Sequence, residues 1–184
     1  NGESGQLSFR LLALNVADFA ETPEVTGEQA VVPGKELGKA LRLLLPCVAD
    51  DMSRKYLTGI YFGDGKGVAT DAHRLAVWPS DLGLKGIWPT DVLSPFSDGK
   101  RDVAVRQDGE RCEATVTGLR IVGTLLTGKF PDWARVVPAA KTKAFTLDRK
   151  ELLSSLRPIM TLAKDNANRV RFIVDGMGVT LKAV

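Results

Sequence analysis

Cysteine, histidine and long apolar runs are all scarce in this chain of 184 residues. Its two cysteines, Cys47 and Cys112, lie in different apolar segments without metal-ligand spacing, so both are expected to be reduced core residues. The single histidine, His73, has Asp71 two residues before it but no third positioned group, and acid-base catalysis needs one. A glycine-rich phosphate loop, paired metal ligands and a GxSxG elbow are missing as well. These absences point away from an enzyme, and neither metal nor cofactor is expected. No run approaches the ~20 apolar residues of a membrane helix, and no signal-peptide pattern is present, so a soluble, cytoplasmic protein is expected. A net charge of +3 is too small to announce nucleic-acid binding, so any such reading rests on where the charges lie.

The length suffices for one domain with a sizeable core plus part of another. Asn1-Gly2-Glu3-Ser4 is set aside from the fold argument. Leu7 to Leu14 is rich in strand formers, and the polar stretch after it, with Pro23 and Gly27, reads as a linker. Ala30-Val31-Val32 is a short strand. Pro33 and Gly34 then open a segment with Leu37, Leu41 and Leu44 at helical spacing, which Pro46 ends. On that helix Lys35, Lys39 and Arg42 recur at i, i+4 and i+7, on a face separate from the leucines. Such a stripe is either a solvated face or a binding face.

Tyr56 to Phe62 reads as a strand, Gly63 to Gly67 as a turn, and Gly67 to Trp78 as a strand that completes a hairpin. Inside the last stretch the polar group Thr70-Asp71-Ala72-His73-Arg74 separates two apolar runs. Such residues bond readily to nearby backbone, so one reading is a turn that satisfies itself. The other is that Thr70, His73 and Arg74 edge a surface site walled by Leu75 and Val77. A short helix around Thr90 to Ser97, interrupted by Pro95, precedes a three-strand meander over 103–106, 112–116 and 119–125. The connection Gly128 to Pro138 carries Phe130 and Trp133, which plug a seam or line a pocket.

The pattern then restarts. Ala144 to Leu147 reads as strand, Asp148 as an N-cap with Glu151 three residues on, and Leu152, Leu153, Leu156, Ile159 and Met160 as a helical core stripe kinked at Pro158. Residues 169–175 and 179–184 form a second hairpin around Gly176-Met177-Gly178. Lys35-Glu36-Leu37 matches Lys150-Glu151-Leu152, and Arg42 matches Arg157, both at an offset of 115 residues. A repeat of this length means duplicated domains and places Lys150 and Arg157 on the same helical face as Lys35 and Arg42.

The segments RKYLTGIYF, GVATDAHRLAV, GKFPDWARVVP and FTLDRKELLSSL, in this order, resemble the bacterial DNA polymerase III beta sliding clamp family. The resemblance implies an α+β DNA-clamp fold, with duplicated strand-helix-strand units and helices on one face of antiparallel sheets. Residues 1–26 then correspond to the end of the clamp's first domain, 27–138 to its complete middle domain and 139–184 to the first half of its third. The implied function is a non-catalytic processivity factor of DNA replication. Its implied partners are duplex DNA, the replicative polymerase and the clamp loader, the last two engaged through linear peptide motifs; the ring of the family forms by self-association, and no membrane is involved. Lys35, Lys39, Arg42, Lys150 and Arg157 are the implied phosphate contacts, joined by Arg54, Lys55 and Tyr56 on a loop where Asp51 is a poor phosphate neighbour. Leu57, Thr70, His73, Arg74, Leu75, Pro131, Arg135 and Val136 match the family's peptide-binding cleft. Ala72 stands where the family usually has glycine, and the C-terminal residues that complete the family's cleft have no counterpart after Val184. The alternative is a short clamp-like peptide-binding or inhibitory decoy that never encircles DNA. The expectation that Leu7 to Leu14 pairs with the sheet of 143–184 follows from the unmatched strands at the two ends.

Overall fold

Successive side chains of a strand point to opposite faces, and Ile60-Tyr61-Phe62 accordingly sends Ile60 and Phe62 into one apolar cluster and Tyr61 into another. The computed structural model describes residues 15, 21–138, 146–163, 169–175 and 178–183. The chain divides into two compact units, residues 1–134 and 135–184.

The first unit reads β1 (Ala30–Val32), α1 (Gly34–Leu44), β2 (Gly59–Gly63), β3 (Lys66–Thr70) and β4 (Leu75–Trp78), then β5 (Gly86–Pro89), α2 (Thr90–Leu93), β6 (Val103–Gln107), β7 (Arg111–Val116) and β8 (Leu119–Thr124). A strand, a helix and three strands occur twice, where the sequence reading gives a strand, a helix and several strands; the expected single strand 67–78 is two, β3 and β4, parted by the polar turn, and β5 was not expected. The two halves exchange their first strands. β1 pairs with β6 in a sheet ordered β1-β6-β7-β8, and β5 pairs with β2 in a sheet ordered β4-β3-β2-β5. All pairings are antiparallel.

The exchange builds one core from both halves. α1 buries Leu37, Ala40, Leu41 and Leu44 against Ile60, Phe62, Ala69 and Trp88 of one sheet and Val32, Val103, Val105 and Ala114 of the other. Each such leucine contributes about 1.5–3 kcal/mol through burial. Gly38 marks a close approach of the helix to backbone: a Cβ there would stand 2.6 Å from Gly99 Cα. The first backbone N–H of α1 is satisfied from outside the helix, by Asp102 Oδ1 at 2.9 Å from Gly34 N.

The expected strand over 56–62 begins only at Gly59. Asp51 caps Ser53 through N–H (2.8 Å) and hydroxyl (2.6 Å) donors, starting the 3-10 segment Met52–Leu57, and the Thr58 hydroxyl closes it by donating to Lys55 O at 2.8 Å. Local side-chain bonds therefore outcompete the strand propensity of Tyr56 and Leu57. The β2–β3 turn is likewise shorter than expected. Asp64 and Gly65 alone form it, at φ 52° and 70°, the geometry of a two-residue hairpin. The linker is anchored to the sheet, since Arg120 donates to Pro23 O at 3.2 Å and Val25 is buried.

In the second unit α3 (Arg149–Ala163) packs on an antiparallel hairpin of β9 (Val170–Asp175) and β10 (Gly178–Ala183). Asp148 caps α3, its Oδ1 accepting from Lys150 N and Glu151 N at 2.9 Å each. Leu152, Leu156 and Ile159 are half-buried, whereas Leu153 and Met160, included in the expected core stripe, are exposed. The reason is angular: they sit one position beyond Leu152 and Ile159 and so turn off the i, i+4, i+7 face. α3 continues through Pro158, whose missing N–H leaves the Ser154 carbonyl without its helical donor. Thr146 and Leu147 are not in a strand. Leu7 to Leu14, its expected pairing, Ala144, Phe145, Gly176, Met177 and Val184 lie outside the described residues.

Among the described residues no helix is long and apolar enough to cross a membrane, and no group of three or more potential metal ligands is assembled. Both cysteines are free thiols; Cys112 is buried as expected, whereas Cys47 is half-buried against the core.

Candidate functional site

The sheet β4-β3-β2-β5 has two apolar faces, and the one opposite α1 bears the candidate peptide residues. Pairing aligns Ile87, Tyr61, Val68 and Val77 in one row across four strands. All four belong to a second apolar cluster that also contains Leu57, Leu75, Phe130 and Trp133. Phe130 and Trp133 thus pack on this sheet face. Phe130 stacks on Tyr61 with ring centroids 5.0 Å apart and planes at 13°, and Lys66 Nζ lies 5.2 Å from the Trp133 ring centroid.

Between β3 and β4 the turn satisfies itself. Asp71 Oδ1 accepts from His73 N and Arg74 N at 2.9 Å each, and its Oδ2 accepts from Arg74 Nε at 2.9 Å. Thr70 Oγ1 donates to Arg74 O at 2.7 Å and accepts from Ala72 N at 3.1 Å. The Arg74 backbone N–H, followed by that of His73 and the Arg74 guanidinium, holds the Asp71 carboxyl down at about 2 against partial desolvation. Asp71 takes the His73 backbone rather than its imidazole, so the pair is a turn and not an acid-base dyad. Ala72 sits at φ 74°, the left-handed region in which glycine is unstrained.

The self-bonded turn still leaves His73 and Arg74 exposed. His73 and Leu57 share a depression of about 290 Å³ with Ala49, Asp50, Arg54 and Asp71. The two readings of the turn are therefore compatible: its backbone bonds fix the side chains that edge the depression. Leu75 joins Leu57 in the apolar cluster, and Thr70 is committed to the turn. Pro131 is exposed on the segment held by Phe130. Arg135 and Val136 belong to the second unit and are exposed, Val136 at 70%.

Of the candidate DNA contacts, Lys35, Lys39 and Arg42 all project from the exposed side of α1. Lys39 Nζ is paired with Glu36 at 2.8 Å, and Arg42 Nη1 donates to Ser97 O at 3.1 Å, while Lys35 has no partner among the described residues. Arg54 and Lys55 are exposed on the 3-10 segment with Tyr56 half-buried, and Asp51 stays anionic there because Ser53 lowers its pKa. Lys150 and Arg157 are exposed on α3 of the second unit. The sequence reading did not single out Tyr61 or Lys66. Their parity with Val68 across a two-residue hairpin is the signal that would have found them.

No family model matches the chain. In sequence it is 25% identical over 187 residues to the beta sliding clamp of Chlamydia pneumoniae, covering 92% of this chain and 50% of that protein. It is 27% identical over 208 residues to the beta sliding clamp of Synechocystis sp., covering 98% and 53%. In structure it matches the DnaN sliding clamp of Bartonella birtlesii, solved bound to griselimycin, with a TM-score of 0.78 and 22% identity over 91% of this chain and 50% of that one. The architecture is the DNA-clamp fold. The resemblance is to part of the DNA polymerase III beta subunit, the sliding clamp of bacterial replication. The chain spans about half the length of the curated relatives it matches.

Proposed function

We propose that this chain acts as a bacterial DNA sliding clamp or as part of one, a non-catalytic cytoplasmic processivity factor that holds duplex DNA without reading its sequence and binds linear peptides of the polymerase and clamp loader. Residues 27–138 serve as the clamp's middle domain, 1–26 as the end of its first and 139–184 as the first half of its third, with ring closure through self-association. The observation that carries the reading is the β3–β4 turn, whose internal bonds set exposed His73 and Arg74 beside Leu57 and Leu75. An apolar floor with a few fixed polar groups is what short peptide anchors require. Pro131 joins this set, and Arg135 and Val136 are the remaining candidates by sequence match. The second support is the lysine and arginine side of α1, with Lys150 and Arg157 at the matching positions of α3. Cations spaced along a helix attract phosphates, and attraction without base contacts permits sliding.

Two titrations test it. Affinity for a plain DNA duplex is expected to fall as salt rises, and absence of binding at low salt would leave a peptide-binding decoy. A fluorescein-labelled linear clamp-binding peptide of a replicative polymerase is expected to bind and to be weakened by His73→Ala and Arg74→Ala. Unchanged peptide affinity in both variants refutes the site.

A further inference from the structure

We propose that Tyr61 and Lys66 are positioning residues that clamp the segment 128–133 onto the sheet and thereby present Pro131 to the peptide. The inference rests on the peptide-binding reading and adds to it the device that builds one wall of the site.

The segment is fixed at both ends and along its length. Before it, Leu126 N donates to Ile87 O at 2.9 Å, an isolated bridge to the outer edge of the sheet. Gly128 follows at φ 126°, where an added Cβ would meet Tyr56 Cβ at 3.2 Å, so the backbone turns directly over that residue. Phe130 is 8% exposed and stacked on Tyr61. Trp133 N donates to Pro131 O at 2.8 Å, and the indole of Trp133 faces the Lys66 ammonium. Pro131 thus lies exposed, with Asp132, between two anchored aromatic rings.

Both anchors come from one hairpin. Tyr61 pairs with Val68 across β2 and β3, and Lys66 lies two residues before Val68, on the same face. That face is continuous with Leu75 and Val77, the apolar wall of the turn that carries His73. Segment and turn are therefore referenced to the same strands. A wall held in advance binds a peptide without first being ordered, which favours affinity.

The full chain tests this with two readouts: affinity for the fluorescein-labelled polymerase peptide, and the rate of tryptic cleavage after Lys129. Tyr61→Ala is expected to weaken the peptide about tenfold and to speed cleavage, whereas Tyr61→Phe, which keeps the stack, changes neither by more than about twofold. Lys66→Met, at an exposed position where folding is not at stake, is expected to shift both readouts in the same direction by about threefold. His73→Ala is expected to weaken the peptide and leave cleavage unchanged. If His73→Ala weakens the peptide while Tyr61→Ala and Lys66→Met leave it unaltered, the positioning role is overturned and the site stands. If the His73, Tyr61 and Lys66 variants all leave affinity unaltered, the site itself falls. Faster cleavage without weaker binding likewise overturns the proposal, because the segment would then be loosened without consequence.

Discussion

The carboxylate of Asp71 engages Arg74 twice, through the backbone N–H at Oδ1 and the guanidinium Nε at Oδ2, each at 2.9 Å. Because these donors hold the Asp71 carboxyl at about 2, its folded pKa lies below the unfolded one. The stabilisation is therefore fully present above the ordinary carboxylate range near pH 4 and is lost as pH falls through about 2. Asp71→Asn is expected to cost about 1 kcal/mol at pH 7. The difference in melting temperature between the two proteins should close between pH 4 and 2. A constant difference over that window would show that Asp71 does not titrate with the turn.

Ala72 occupies the turn at φ 74°. A left-handed alanine costs about 1–2 kcal/mol, part of which glycine gives back through greater freedom of its unfolded chain. Ala72→Gly is expected to stabilise the fold by about 0.5–1 kcal/mol, read as a higher urea midpoint at unchanged slope. A lower midpoint would mean that the turn is not strained.

The helix cations are unequal. Lys35 has no partner among the described residues, whereas Lys39 is paired with Glu36 and must give up that contact to reach a phosphate. Lys35→Ala is expected to lower duplex affinity at low salt and to reduce the salt slope by about 1, with a smaller effect from Lys39→Ala. Equal slopes for both variants and the wild type would remove Lys35 and Lys39 from the candidate DNA contacts.

Cys112 is fully buried, and burial pushes its thiol up to about 11. Iodoacetamide is expected to label half-buried Cys47 first, and Cys112 only as fast as the first unit opens. Prompt labelling of Cys112 in the native protein would contradict the packing described for β7.

Local pattern made much of this protein legible. The Leu37, Leu41, Leu44 spacing predicts α1, with Pro33 and Gly34 at its start, and the Asp148 to Glu151 spacing predicts the cap of α3. Repetition of strand, helix and several strands is visible for the same reason, although the short strand Gly86–Pro89 is not announced by a periodicity of its own. At the candidate site, the polar turn and its apolar flanks are legible, and sequence reasoning left open whether the turn served itself or a ligand. The structure shows that the turn's bonds take the His73 and Arg74 backbone, the Thr70 hydroxyl and the Nε of Arg74 and leave the exposed His73 imidazole outside them, so one reading does not exclude the other. What failed locally failed by competition: Tyr56 and Leu57 have strand propensity, but the Asp51 and Thr58 side chains hold them in a 3-10 segment.

The sequence by itself determined which residues face inward, because helical and strand periods are properties of the chain at short range. Tertiary structure decided which strand lies beside which. Nothing within Ala30–Val32 or Gly86–Pro89 states that each joins the sheet of the other half, because a backbone ladder accepts any strand and only the shared core around Trp88 and Leu41 selects the partner. The placement of Phe130 and Trp133 on the β2–β3 face was settled in the same way, by an aromatic stack and a cation–π contact between residues some seventy positions apart.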